Sequence, residues 1–123
     1  MELFSNVSTQ IGDDAQLDRL RADLGDEVIT MLLDRVEETV NGTLADLKSA
    51  IAASDSTRIR EVAHSIKGAT GSLYSVRLSE MAAIMEKQNE DISAITAKLP
   101  EVDKAAQQTI EWWASKLKAL ATS

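Results

Sequence analysis

The sequence lacks cysteine altogether, contains a single proline and is poor in aromatic residues, which make up 3% of the chain. Without cysteine there are no disulfides and no thiolate metal sites, and this favours a cytoplasmic location. Because 44% of the residues are hydrophobic but few are aromatic, the core must be built from aliphatic side chains. That composition is typical of a helical bundle and not of a β-sandwich.

The sequence also has no excess of basic residues. The chain has 13 Lys and Arg against 20 Asp and Glu, a formal charge of −7, which argues against binding to nucleic-acid phosphates. No apolar run approaches the roughly 18 residues that a membrane span needs, and the N-terminus lacks the basic start of a signal peptide. With 123 residues, we expect one domain over 1–123, with 1–12 as a loosely ordered lead-in.

Apolar residues recur at helical spacing along nearly the whole chain. We expect a short helix that is capped by Asp13 or Asp14 and ends at Gly25, followed by a long helix from about residue 26 to residue 51. The predicted core stripe of the long helix is Val28, Leu32, Val36, Val40, Leu44, Leu47 and Ile51. Asn41-Gly42 is a weak point at which this helix could bend.

Three more helices are expected, over about 56–74, 76–88 and 92–120. Asp55 or Ser56 should cap the first of them, and Pro100 should split or kink the last, since proline fits only the first turn of a helix. Short turns between long helices predict an all-α fold. It should be an antiparallel four-helix bundle with an extra short N-terminal helix.

The single histidine of the sequence, His64, lies within the third of these helices. At about 100° per residue, it points roughly 150° away from the stripe that contains Ile59, Val62, Ala63, Ile66, Thr70 and Leu73. Gly68 and Gly71 lie within about 40° of it, and Arg60 and Lys67 flank it one turn on either side. The imidazole should therefore face solvent, beside a cation and a bare patch of backbone.

Two familiar kinds of histidine site do not fit this pattern. Glu61 and His64 have the spacing of a di-iron bundle, but that architecture needs two such motifs, and a lone histidine is a poor ligand set for zinc or iron. Ser65 projects about 100° away from His64, so it does not form a hydrolase pair. We therefore expect no metal site.

An exposed neutral imidazole can instead attack a phosphoryl group and hold it as a phosphoramidate. Lys67 would place an ammonium beside the phosphoryl oxygens, and the two glycines would let a large partner approach. The sequence has no phosphate-cradling Gly-x-x-x-x-Gly-Lys loop. The phosphoryl group would therefore have to arrive and leave through protein partners.

The segment Ala63-His64-Ser65-Ile66-Lys67-Gly68-Ala69-Thr70-Gly71 closely resembles the signature of histidine-containing phosphotransfer (HPt) domains, the carriers of two-component phosphorelays. The segments 20–26 and 77–81 are similar to the entry into these domains and to the helix after the motif. The resemblance implies a phosphorelay carrier in which Nε2 of His64 takes a phosphoryl group from a receiver aspartyl phosphate and passes it to another receiver. It also implies that Lys67 stabilises the phosphoryl group and that Gly68 permits docking.

Further expectations follow from the resemblance. The partners are receiver domains of response regulators or hybrid histidine kinases, Mg²⁺ belongs to the receiver, and the chain has no ATP-binding or autokinase activity of its own and acts as a monomer. Arg60, Gly68, Gly71 and Tyr74 are the predicted docking residues. Tyr74 stands where the family usually has a second glycine, so it could narrow the docking surface, tune partner choice or cover the helix end.

Two other functions stay open at the level of the sequence. The same motif resembles the phosphorylated domain of a chemotaxis-type or hybrid histidine kinase. A bundle that binds a partner without being phosphorylated is the other alternative.

Overall fold

The computed structural model describes residues 2–122, and every regular element within that range is an α-helix. The helices are α1 (Asp14–Leu24), α2 (Asp26–Ala52), α3 (Ser56–Gly71), α4 (Val76–Lys87) and α5 (Ile92–Ala121). Helices α2 to α5 pack in a ring, each against the next, and α1 packs on α2. The predicted all-α bundle with a short extra N-terminal helix is confirmed. Between residues 2 and 122, the structure has no helix of the length and apolarity that a membrane crossing requires.

Polar caps and one glycine set the helix boundaries. The side chain of Asp13 accepts a hydrogen bond from the Gln16 N–H at the start of α1, and Asp55 does the same for Arg58 at the start of α3. Each satisfies a backbone donor that the first helical turn leaves free. Gly25, with a φ of 89°, both ends α1 and starts α2, and this left-handed conformation costs glycine little.

The predicted core stripe of α2 is right from Val36 onward and wrong before it. Val28 and Leu32 are 36% and 37% exposed, and Ile29 and Leu33 are buried in their place. The reason is the helical period: each four-residue step overshoots a 3.6-residue turn by about 40°, so repeated steps drift off the core face. Ile29 and Leu33 stay in phase with Val40. The helix itself continues through Asn41-Gly42 without a break.

Two expected boundaries also differ in the structure. Pro100 lies inside α5 and does not split it, because Pro100 and Thr96, whose carbonyl loses its partner, are both exposed to solvent. The helix of His64 ends at Gly71 and not near Tyr74. Residues 72–75 form a turn there, in which Tyr74 has a φ of 58°.

The expected loose lead-in is wrong for residues 2–12, which pack on the bundle. Phe4 and Val7 are buried in the core. The Ser8 N–H donates to Glu80 Oε1 at 3.0 Å, and Arg77 Nη1 donates to the Ser8 carbonyl at 2.9 Å. These contacts join the N-terminal segment to α4 and remove its freedom to move as a tail.

This segment also caps α4. Ser75 at the N-cap makes no side-chain capping bond. The first two N–H groups of α4, those of Val76 and Arg77, donate instead to the carbonyls of Ile11 and Gln10 at 2.9 and 3.1 Å. Backbone carbonyls thus accept the hydrogen bonds that a capping side chain usually accepts.

Gly12 lies directly beneath the indole of Trp112, where a Cβ would meet the ring at 2.4 Å. The ring is held in place because its Nε1–H donates to Asp14 Oδ1 at 2.9 Å. Lys116 also contacts Asp14, at 2.5 Å, and its Nζ lies 5.8 Å from the ring centroid. The indole ring cannot move away from Gly12 without losing these contacts.

We therefore expect Gly12→Ala to destabilise the fold by about 1–3 kcal/mol, the usual cost of overpacking. Urea denaturation followed by tryptophan fluorescence measures it. Gly42→Ala is the matched control: a Cβ at Gly42 meets nothing within 4 Å, so this variant should gain up to about 1 kcal/mol from helix propensity. Equal unfolding midpoints for Gly12→Ala and the wild type would contradict the packing described here.

Candidate functional site

His64 lies near the middle of α3 on the face away from the core. Helix α3 buries the stripe of Ile59, Val62, Ala63, Ile66 and Thr70, as its spacing predicts. The side chain of His64 is 68% exposed. The predicted solvent-facing imidazole is confirmed.

Glu86, on α4, joins His64 to Lys67. Its Oε2 lies 2.6 Å from His64 Nδ1, and its Oε1 lies 2.6 Å from Lys67 Nζ. Because His64 and Lys67 are one helical turn apart, a single carboxylate on the neighbouring helix can reach both. The three side chains form one connected cluster, which we call the His64–Glu86–Lys67 cluster.

The cluster determines which imidazole nitrogen can react. The hydrogen bond from the Lys67 ammonium and, to a smaller degree, that from His64 hold the pKa of Glu86 below its ordinary value. Glu86 is therefore an ionised acceptor at neutral pH, and the hydrogen that it accepts must be on Nδ1. In the neutral ring this leaves the lone pair on Nε2, the nitrogen on the far side of the imidazole.

The structure places the predicted cations on either side of the imidazole. Lys67 pairs with Glu86. Arg60 is exposed one turn before His64 and lines an open polar groove of about 610 Å³. The rest of that groove is formed by Lys87, Gln88, Asn89, Glu90 and Asp91, at the turn between α4 and α5.

The two glycines beside His64 have different surroundings. A Cβ added at Gly68 would meet nothing within 4 Å, whereas one at Gly71 would lie 3.2 Å from Ser79 Oγ on α4. Gly68 therefore leaves open space at the surface next to the imidazole. Gly71 lets α3 and α4 approach each other closely.

Tyr74 lies beyond the end of α3, in the turn that leads to α4. Its φ of 58° is in the left-handed region, which costs a residue with a Cβ roughly 1–2 kcal/mol. A glycine, the usual residue of the resembled family here, adopts that conformation freely. The Tyr74 carbonyl accepts a hydrogen bond from Asp13 N–H at 2.9 Å, which ties this turn to the start of α1.

An apolar groove lies beside α3, on the side of α2 and α1. Its lining includes Leu20, Leu24, Leu32, Ala69 and Leu73, and its volume is about 380 Å³. We call it the apolar groove. Leu24 and Leu32 are both exposed. The groove is not predicted from the sequence, because the helical spacing assigns Leu32 to the core.

Glu86 is the site residue that sequence reasoning missed. It is 22 residues from His64 along the chain, and the pattern of α4 marks only its buried residues, Leu78, Met81, Ala82 and Met85. A signal was present nonetheless. Helices α3 and α4 are antiparallel neighbours joined by a short turn. A residue next to the buried face of α4, at about the same distance after the turn as His64 is before it, is therefore expected to lie near His64.

Within residues 2–122, no group of three or more His, Cys, Asp or Glu side chains is placed to hold a metal ion. Glu61, which has the di-iron spacing to His64, pairs with Arg58 at 3.5 Å. The chemistry available at this site is that of the imidazole, the carboxylate and the ammonium.

Comparison with known proteins identifies the family of the chain. The family model of the Hpt domain matches residues 27–112, while no curated protein sequence matches the chain. The fold is similar to the crystal structure of histidine-containing phosphotransfer protein B (HptB) from Pseudomonas aeruginosa PAO1, with a TM-score of 0.80 and 23% sequence identity. That match covers 91% of this chain and 98% of the HptB chain. Since the family model spans most of the sequence and includes His64, the chain belongs to the Hpt domain family, the histidine phosphotransfer carriers of phosphorelays.

Proposed function

We propose that Nε2 of His64 accepts a phosphoryl group from an aspartyl phosphate of one receiver domain and passes it to the aspartate of another. The observation that carries this proposal is the 2.6 Å contact of Glu86 with Nδ1 of an exposed imidazole. It directs the hydrogen to Nδ1 and leaves the Nε2 lone pair available. Membership of the Hpt domain family supports it.

In the proposed step, the Nε2 lone pair attacks phosphorus, an N–P bond forms, and the P–O bond to the aspartate breaks. The electron pair of that bond leaves with the aspartate as a carboxylate. The ring becomes positively charged with its hydrogen still on Nδ1, next to the Glu86 carboxylate, which offsets the charge. The return step reverses each of these changes.

Lys67 is proposed to stabilise the phosphoryl group. Its ammonium has three donors, so it can turn one of them toward a phosphoryl oxygen while it remains close to Glu86. The 2.6 Å contact with Glu86 holds it beside the imidazole before the group arrives. The side chain is thus positioned in advance, which reduces the cost of ordering it.

The proposed partners are receiver domains of response regulators or hybrid kinases, and the proposed docking surface has two parts. Beside His64, Gly68 leaves room for the partner, and the exposed cation Arg60 suits an acidic receiver pocket. Farther along α3, the apolar groove offers a hydrophobic contact. Gly71 and Tyr74 belong to the α3–α4 junction and are proposed to shape the surface there.

The remaining features of the proposal concern the chain as a whole. We propose a single-domain, cytoplasmic monomer that uses no nucleotide and holds no cofactor, with Mg²⁺ bound by the receiver. The formal charge of −7 supports the monomer, because like-charged copies repel one another.

Replacement of His64 by Gln should abolish phosphorylation and leave the fold intact, because the imidazole is exposed. The measurement is uptake of labelled phosphate from phosphorylated receiver domains, with far-UV circular dichroism as the test of folding. Ser65→Ala, which changes the exposed neighbour, is the control and should keep the label. Acid-labile, base-stable label that persists in His64→Gln would contradict the proposal. If only a kinase, and no receiver domain, can label the wild type, the alternative function as the phosphorylated domain of a histidine kinase is favoured.

Gly68→Ala should slow transfer from a receiver domain without harming the fold. A Cβ at this position meets nothing within the protein, so stability should rise by up to about 1 kcal/mol, the propensity difference between Ala and Gly. Stopped-flow transfer kinetics and urea denaturation measure the two effects. Gly42→Ala, on α2, should match the gain in stability and leave the transfer rate unchanged; if both variants transfer at the wild-type rate, Gly68 is not a docking residue.

Leu32→Glu should weaken receiver binding about tenfold, the effect of losing one central interface contact. It places a charge in the apolar groove, away from the His64–Glu86–Lys67 cluster. The readout is the receiver concentration that gives half-maximal transfer, and Ala97→Glu on the exposed surface of α5 is the charge-matched control. Equal values for the two variants would remove the groove from the docking surface.

A further inference from the structure

Glu86 contacts the imidazole at the nitrogen that is not phosphorylated. Nδ1 and Nε2 are at opposite edges of the ring, so a phosphoryl group on Nε2 leaves the 2.6 Å contact between Nδ1 and Glu86 Oε2 in place. The glutamate side chain is 23% exposed, and its other oxygen is occupied by Lys67. The contact is therefore available in the phosphorylated carrier as well as in the free one.

The proton on Nδ1 decides how easily the N–P bond breaks. With that proton present, the electron pair of the N–P bond returns to Nε2 and the ring leaves as neutral imidazole. Without it, the ring must leave as an imidazolate anion, which is a far poorer leaving group. A group that keeps Nδ1 protonated therefore makes phosphohistidine a stronger donor, in the same way that a general acid assists any leaving group.

We propose that Glu86 controls the release of the phosphoryl group: by holding the proton on Nδ1 of phosphorylated His64, it keeps the carrier able to donate at neutral and mildly alkaline pH. This rests on the proposed function and deepens it. In the donation step, the N–P bond breaks as a P–O bond forms to a receiver aspartate or to water. The Nδ1 proton stays on the ring throughout, and Glu86 remains a carboxylate.

The other charged groups on α3 and on the elements that pack against it differ in position from Glu86. On α3, Arg60 and Glu61 lie one turn before His64, and Lys67 lies one turn after it. On α4 and the turn that follows, Lys87 and Glu90 line the groove of Arg60. On α2, Asp46 lies 3.9 Å from Arg58. Of the carboxylates that the structure describes around His64, Glu86 is the one within hydrogen-bond distance of the ring.

The variant that tests this is Glu86→Gln, which keeps the shape of the side chain and removes its charge. Glu61→Gln is the matched control, since it removes a carboxylate one turn from His64 that has no bond to the ring. Each full-length protein is phosphorylated with phosphoramidate, a small donor that needs no receiver. Loss of the phosphoryl group to water, and its transfer to a receiver domain, are then followed across pH 5–10 by ³¹P NMR.

For the wild type and Glu61→Gln, we expect donation to persist to higher pH than for Glu86→Gln. The pH at which the rate of phosphoryl donation falls by half should be lower in Glu86→Gln by about one unit. At alkaline pH this corresponds to a phosphohistidine lifetime about tenfold longer than in the wild type. A mere change in structure would alter the rate at all pH values and would not move this midpoint.

The results that would contradict the role of Glu86 can be distinguished from those that would contradict the proposed function. Identical pH profiles for Glu86→Gln and the wild type, or an equal shift in Glu61→Gln, would overturn the role of Glu86. A shifted profile with no transfer to any receiver would support that role and count against the proposed function. Failure of phosphoramidate to label wild-type His64 would overturn both, because each requires an accessible Nε2 nucleophile.

Discussion

The packing of α3 against α4 is the constraint on which the site depends. It brings a carboxylate from one helix within 2.6 Å of an imidazole and of an ammonium on the other. Small residues allow the approach: Gly71 faces Ser79 where a Cβ would be crowded, and Ala63 and Ala82 are fully buried. Any change that separates the helices would remove Glu86 from Nδ1 before it altered the exposed surface of α3.

Much of this architecture can be predicted from local sequence patterns. The 3.6-residue period of α3 identifies its buried face, and the direction of His64 follows from that face alone. The Asp caps and Gly25 likewise mark the ends of helices through interactions within a few residues of one another. Such features depend on short-range geometry, so they can be inferred without the tertiary structure.

The features that escaped prediction depend on contacts between distant parts of the chain. Glu86 is exposed on the pattern of α4 taken alone, and only the neighbouring helix gives it a role. Residues 2–12 have no helical period, yet Phe4 and Val7 are buried because the bundle offers them a site. The assignment of Leu32 to the core is wrong for a different reason. It follows four-residue steps along α2, and repeated steps of that length rotate away from the core face.

The position of His64 in the middle of a regular helix has a mechanical consequence. Its backbone is held by helical hydrogen bonds on both sides, so the imidazole is attached to a regular helix and not to a loop. A partner that approaches His64 therefore meets a backbone fixed by the helix, and the adjustable parts of this surface are its side chains.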